Sequence, residues 1–157
     1  MTGAAVFEGG CGCGEIRYRM TSRPMFVHCC HCRDCQRQTG SAFVINALIE
    51  TERVEVLAGA PSPVTVPTDS GLPHIVQRCP TCEIAVWSHY GGRTRMSFVR
   101  VGTLDDPTAL EPDVHIFTHS KLPWVRLPDG VPAFEVYYDS STLWPTESLT
   151  RRVAVMG

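Results

Sequence analysis

The chain has 157 residues, the length of one ordinary domain. At 43% hydrophobic and 19% charged residues it can build a core, which excludes the disordered class. Fourteen basic residues against sixteen acidic ones leave a net charge of -2, without the basic excess typical of nucleic-acid binders. We therefore predict one domain over residues 1–157 that binds no nucleic acid.

No apolar run approaches the roughly 20 residues needed to span a bilayer. The first ten residues, MTGAAVFEGG, lack the basic start and the long apolar stretch of a secretory signal. We therefore expect no membrane association and a cytoplasmic location, where thiols stay reduced.

Most segments between the scattered prolines and glycines have the β-branched and aromatic residues typical of strands. In chain order, the predicted strands are 15–20, 42–49, 53–57, 84–90, 96–101, 114–118 and 133–138. Residues 33–39 predict a short helix capped by Gly40, and residues 146–153 predict a terminal helix. Segments 61–67 and 68–73 are interpreted as a surface loop. The pattern favours a mainly-β domain of short antiparallel strands with one or two short helices.

Eight cysteines are the most informative feature of the sequence. A secreted disulfide scaffold would require an export signal and a smaller chain. Only one residue separates Cys11 from Cys13, and only one separates Cys30 from Cys32. Neither pair is spaced widely enough for its two members to form a comfortable disulfide with each other. Together with the expected reducing compartment, this spacing favours metal binding over disulfides.

Cys11 and Cys13 form one half of a predicted closed metal site. In extended backbone both side chains point to the same side, and the flanking glycines allow a tight turn. Cys79 and Cys82, in a C-x-x-C turn, supply the other half. Four thiolates leave zinc no vacant position, so we predict a structural zinc here.

A second group, Cys30, Cys32 and Cys35, lies within six residues at the start of the predicted helix. Three thiolates leave one vacant position in a tetrahedron, as a catalytic zinc requires. Cys29 should point away from this group and act as a small buried apolar residue. His28 and His31 are candidate fourth ligands, although a surface or hydrogen-bonding role is favoured for each.

Four segments make the sequence similar to a known family. They are CGCGEIRY, CHCRDCQRQTGSAF, CPTC and HIFTHSKLPWV, which span about residues 10 to 134. They resemble the glutathione-dependent formaldehyde-activating enzyme family. The resemblance implies a compact β fold with zinc-stapled sheets, a structural zinc on the four-cysteine set and a second zinc on the three-cysteine set. Where this family usually has glycine after the last cysteine, this chain has Glu83.

The activity that the resemblance implies is that of a carbon–sulfur lyase, which joins glutathione to formaldehyde as S-(hydroxymethyl)glutathione. We expect the open zinc to bind the thiol and lower its pKa, or to polarise the aldehyde oxygen. Glutathione carries two carboxylates, and Arg33 and Arg37 would share one helix face beside the open site. Their alternative role is an ordinary solvated face. Lys121 and Trp124 are weaker candidates for substrate contact, and Trp124 is favoured as a core or rim aromatic.

Two other function classes remain open from the sequence. In a non-catalytic protein-binding module both zinc ions would be structural, and another side chain would close the vacant position. A sulfoxide reductase would need a reactive cysteine outside the zinc sites, and only Cys29 is left for that role.

Overall fold

The computed structural model describes residues 5–156 and contains two β-sheets. The smaller sheet has three antiparallel strands in the order β1-β2-β5, namely Phe7–Gly10, Arg17–Met20 and Val54–Ala58. Strand β1 ends at Gly10, immediately before Cys11, so the small sheet positions the first cysteine pair. None of the described helices is long and apolar enough to cross a bilayer.

The larger sheet has seven strands in the order β10-β3-β4-β9-β8-β7-β6. In that order they are Val114–Ile116, Phe26–Cys30, Val44–Glu50, Met96–Arg100, Ala85–Tyr90, His74–Arg78 and Ser62–Val66. All neighbours pair antiparallel except β10 and β3, which are parallel. The mainly-β prediction is confirmed, with this one parallel pair as a departure from the antiparallel expectation.

Within residues 5–156, three α-helices accompany the sheets: α1 (Arg33–Thr39), α2 (Ser140–Leu143) and α3 (Thr146–Met156). The predicted helix at 33–39 and its Gly40 cap are confirmed, with Gly40 at a left-handed φ of 63°. The terminal helix is also confirmed and runs beyond residue 153.

Two segments differ from the prediction. The interval 61–67 contains edge strand β6 instead of a loop, and Pro63 is tolerated there because an edge strand has one side without ladder partners. The predicted strand 133–138 is wrong. Ala133 makes a single bridge to His115, and Tyr137 and Tyr138 stack on each other before α2 begins. Strands β1, β3 and β7 were not predicted, since none of the three shows a clear alternation of apolar and polar residues.

The core is divided into two apolar clusters, and each includes cysteines from one of the two groups. The first surrounds Tyr18 and Trp87, whose rings meet edge to face, and includes Cys79. The second includes Trp144 and two members of the three-cysteine group. Each predicted metal site therefore lies at the margin of its own core.

Candidate metal centres

The structure brings Cys11, Cys13, Cys79 and Cys82 together into one group that we call the quartet. Their four sulfur atoms all lie within 4.8 Å of one another. The Sγ atoms of Cys11 and Cys13 are 3.6 Å apart, and those of Cys13 and Cys79 are 3.7 Å apart. Because the pairs follow β1 and β7, the quartet joins the small sheet to the large one.

Main-chain N–H groups point at the quartet sulfurs and favour their ionised form. The Thr81 and Cys82 amides each donate to Cys79 Sγ at 3.4 Å, and the Ile16 amide donates to Cys11 Sγ at 3.3 Å. Main-chain hydrogen bonding, first from Ile84, lowers the pKa of Cys82 to about 6. The turn after Cys82 places Glu83 at a left-handed φ of 63°, a conformation that favours glycine.

Cys30, Cys32 and Cys35 form a second group, the trio, whose sulfurs also lie within 4.8 Å of one another. Cys30 ends β3, and Cys32 is the N-cap of α1, where its sulfur accepts the Cys35 amide at 3.3 Å. The Sγ atoms of Cys32 and Cys35 are 3.1 Å apart. The strand end and the first helical turn therefore hold three thiols in one compact face.

The trio thiols oppose one another's ionisation. Hydrogen bonds from Cys30 and Cys35 hold the pKa of Cys32 far below its ordinary range. Hydrogen bonding to Cys32 and Cys35 raises the pKa of Cys30 far above that range. A divalent cation would offset the repulsion and allow three thiolates, because metal binding displaces the thiol protons. An all-sulfur donor set suits zinc, so both groups could hold metal ions.

A third group consists of Cys29, His31 and His115, which are all buried and whose ligand atoms also lie within 4.8 Å of one another. His31 Nε2 is 3.6 Å from Cys29 Sγ and shares a hydrogen bond with His115 Nδ1 at 2.9 Å. Cys29 is buried, as expected from its position in the alternation. His115 was not recognised in the sequence, since it approaches His31 only through the parallel pairing of β10 with β3.

Neither predicted histidine joins the trio's ligand group among the described residues. His28 is buried and neutral, because burial lowers its pKa to about 4, and its Nε2 shares a hydrogen bond with Tyr138 Oη at 2.6 Å. His31 is fully buried and bonded to His115. Both histidines therefore have a hydrogen-bonding role in the structure, and neither lies on the surface.

Arg33, Arg37 and Trp124 line one groove of about 480 Å³ beside α1. Trp124 is 70% exposed and therefore forms the rim of the groove and not part of the core. Lys121 does not line the groove, and its Nζ donates to the main-chain oxygen of Val125 at 2.9 Å. The structure thus brings together three of the four residues expected to contact substrate.

Gln36, which the sequence did not single out, holds the groove's two walls together. Its Nε2 donates to the main-chain oxygens of His31 and Ser120, both at 2.9 Å. Ser120 Oγ donates to the same His31 oxygen at 2.9 Å. The segment that carries Trp124 is therefore fastened directly to the loop that carries the trio.

A buried polar layer lies between α1 and the large sheet. Arg100, only 7% exposed, donates to Asn46 Oδ1 at 2.7 Å and to Gln38 Oε1 at 3.1 Å. Gln38 Nε2 lies 3.2 Å from His74 Nδ1. Arg100 was predicted only as part of a strand, because alternation does not reveal a buried cation.

All eight cysteines are free thiols, so no disulfide competes with metal binding.

A family model and a solved structure are similar to this chain. The family model described as "Glutathione-dependent formaldehyde-activating enzyme" matches residues 6–120, which include both cysteine groups. A crystal structure of a Rhodobacter sphaeroides protein is similar at 17% identity, with a TM-score of 0.46, over 81% of this chain and 98% of that one. A search of curated proteins finds no significant match. On the family match, the chain belongs to the glutathione-dependent formaldehyde-activating enzyme family.

Proposed function

We propose that this protein is a zinc-dependent carbon–sulfur lyase that forms or cleaves the adduct of a small thiol, such as glutathione, with a small aldehyde, such as formaldehyde. The observation that carries the proposal is the trio, three sulfurs on one face without a fourth protein ligand among the described residues. A three-ligand site leaves zinc open to a substrate, as catalytic zinc sites do.

We further propose that the quartet holds a structural zinc and the trio a catalytic one, two ions per chain. What supports this is that the four quartet sulfurs, from two separate parts of the chain, lie close enough together to fill the four positions of one zinc ion, which would join the two sheets. A zinc ion held by Cys30, Cys32 and Cys35 would supply a Lewis acid that lowers the pKa of a substrate thiol or polarises a carbonyl oxygen. The reduced thiols that this requires fit a cytoplasmic location.

The reaction is an addition that requires no oxidant. The thiol sulfur forms a bond to the carbonyl carbon, the carbonyl π electrons move to its oxygen, and the thiol proton ends on that oxygen. The reverse reaction breaks the same carbon–sulfur bond. The protein's main task is to hold thiol and aldehyde together, since good positioning alone can supply several powers of ten in rate.

The groove beside α1 supports the choice of glutathione. Arg33 and Arg37 are both exposed at its wall and can bind carboxylates through paired N–H groups. Trp124 offers an exposed ring at the rim against which a peptide can pack. We propose that these three residues bind the acidic thiol.

Exchange NMR on formaldehyde with glutathione, with and without the protein, tests the activity. We expect Cys32→Ser to remain folded but lose the acceleration, since it removes one trio ligand. Cys29→Ala is the matched control, because Cys29 lies beside the trio without belonging to it. Metal analysis should find close to two zinc ions per wild-type chain. An unaltered exchange rate in a fully zinc-loaded protein would refute catalysis and favour a binding module.

A further inference from the structure

Arg100 is a buried cation on the same face of the large sheet as the trio. In the β4–β9 ladder it lies directly opposite Asn46, and Asn46 lies directly opposite His28 in the β3–β4 ladder. Directly paired residues point to the same face of a sheet, and so do residues two apart along a strand. Arg100 therefore shares its face with His28 and with Cys30, which follows His28 by two residues in β3.

Helix α1 lies over the same face and meets the guanidinium of Arg100 about one turn after Cys35. Arg100 Nη2 donates to Gln38 Oε1 at 3.1 Å, and Gln38 follows Cys35 by three residues in the helix. Residues three apart are neighbours on a helix surface. From the sheet, Asn46 Oδ1 accepts from Arg100 Nη1 at 2.7 Å. The helix and the sheet thus hold the guanidinium near Cys35 and Cys30, which pack in one apolar cluster.

The trio is the anionic partner of this guanidinium. Arg100 is only 7% exposed, and no carboxylate among residues 5–156 forms an ion pair with it. Glu50, at the other end of β4, is bound by Arg151 instead. Burial lowers the pKa of Arg100, and the charges of the trio thiolates, Cys35 foremost, oppose that shift.

The trio in turn needs a positive charge besides that of a metal ion. Three thiolates and one divalent cation leave one net negative charge, which is costly in a buried place unless a cation offsets it. Cys30 and Cys35 are both buried. The two arginines of α1, Arg33 and Arg37, are exposed, and water screens exposed charges. Arg100 is buried on the trio's own face, where its charge acts with little screening.

We propose that Arg100 is the counter-charge of the trio: it stabilises the thiolates of Cys30, Cys32 and Cys35 and so raises their affinity for zinc. The inference rests on the proposed function only in assigning zinc to the trio. Asn46 and Gln38 orient the guanidinium, and its charge is what stabilises the thiolates. Because Arg100 acts through the trio, it is a positioning residue and not a catalytic one.

The zinc affinity of the trio is measured on the zinc-loaded protein by competition with a chromophoric chelator. The trio ion is identified as the one that Cys32→Ser does not hold. Arg100→Met should weaken this affinity about tenfold or more, as expected for two unit charges within about 10 Å in a protein interior. Arg100→Lys should retain most of the affinity, because it keeps the charge. The quartet ion should stay bound in both variants, which shows that they are folded.

Two control variants separate charge from hydrogen bonding and from the overall charge of the protein. Gln38→Met removes one acceptor of Arg100 without changing any charge, and Arg93→Met removes an exposed arginine. Both should hold the trio ion within about threefold of the wild-type affinity. The inference is overturned if Arg100→Met binds this ion as tightly as Arg93→Met does, or if Gln38→Met or Arg100→Lys weakens it as much as Arg100→Met.

The affinity measurement is independent of the test for lyase activity. A trio affinity that falls in Arg100→Met, in a protein that does not accelerate exchange, would keep this inference and reject the lyase. Two zinc ions held equally by wild type and Arg100→Met, together with accelerated exchange, would keep the lyase and reject this inference. A wild-type chain that holds only one zinc ion would reject both.

Discussion

The buried imidazole of His74 predicts a specific dependence of stability on pH. It lies in the polar layer under α1, is 8% exposed and meets Gln38 at Nδ1, while its Nε2 has no hydrogen-bond partner among the described residues. Burial lowers its pKa to about 4, from 6.5 in the unfolded chain. Between these values the unfolded chain binds a proton that the folded protein does not.

The folded state should therefore lose stability as pH falls through this window. The contribution of His74 is fully present above pH 6.5 and declines towards pH 4. The shift corresponds to about 3 kcal/mol in total, of which about 2 kcal/mol is lost by pH 5. His74→Gln removes the titration while keeping a polar side chain beside Gln38.

The assay is urea denaturation of wild type and His74→Gln at pH 7 and pH 5. The drop in unfolding free energy should be smaller in the variant by about 2 kcal/mol. Titration of the cysteines is common to both proteins and cancels in this difference. His119→Gln, at an exposed position, is the control and should follow wild type. Equal drops in wild type and His74→Gln would refute a buried, neutral His74.

Three further substitutions test the packing by the same denaturation assay. Tyr138→Phe should cost about 1–3 kcal/mol, because it leaves His28 Nε2 and Trp144 Nε1, each 2.6 Å from the hydroxyl, without a partner; an unchanged stability would contradict these bonds. Glu83→Gly should raise the free energy of unfolding by about 1 kcal/mol, because glycine adopts the left-handed φ without strain. A lower free energy of unfolding in this variant would argue against that turn. Gly9→Ala should destabilise by about 1–3 kcal/mol, since its Cβ would lie 2.5 Å from a main-chain oxygen; a neutral effect would count against that close approach.

The cysteine groups that could hold metal ions could be predicted from the sequence, because the spacing that identifies them is local. Cys30, Cys32 and Cys35 lie within six residues, so backbone geometry alone limits where their sulfurs can point. The helix at 33–39 was recognisable for the same reason, since Gly40 accepts a left-handed conformation that other residues resist. Pairing 11–13 with 79–82 required only the chemical rule that zinc takes four ligands.

The tertiary structure alone decided which distant residues became neighbours. His115 meets His31 through a parallel strand pair, and Arg78 and Arg100 line one cavity because β7, β8 and β9 are adjacent in the sheet. The segment 133–138 has strand-forming residues but does not form a strand. Instead, Tyr137 and Tyr138 stack on each other, and the next residue, Asp139, caps helix α2. Local spacing specifies ligand sets within a turn, whereas strand order, set by burial over the whole chain, determines the surroundings of the site.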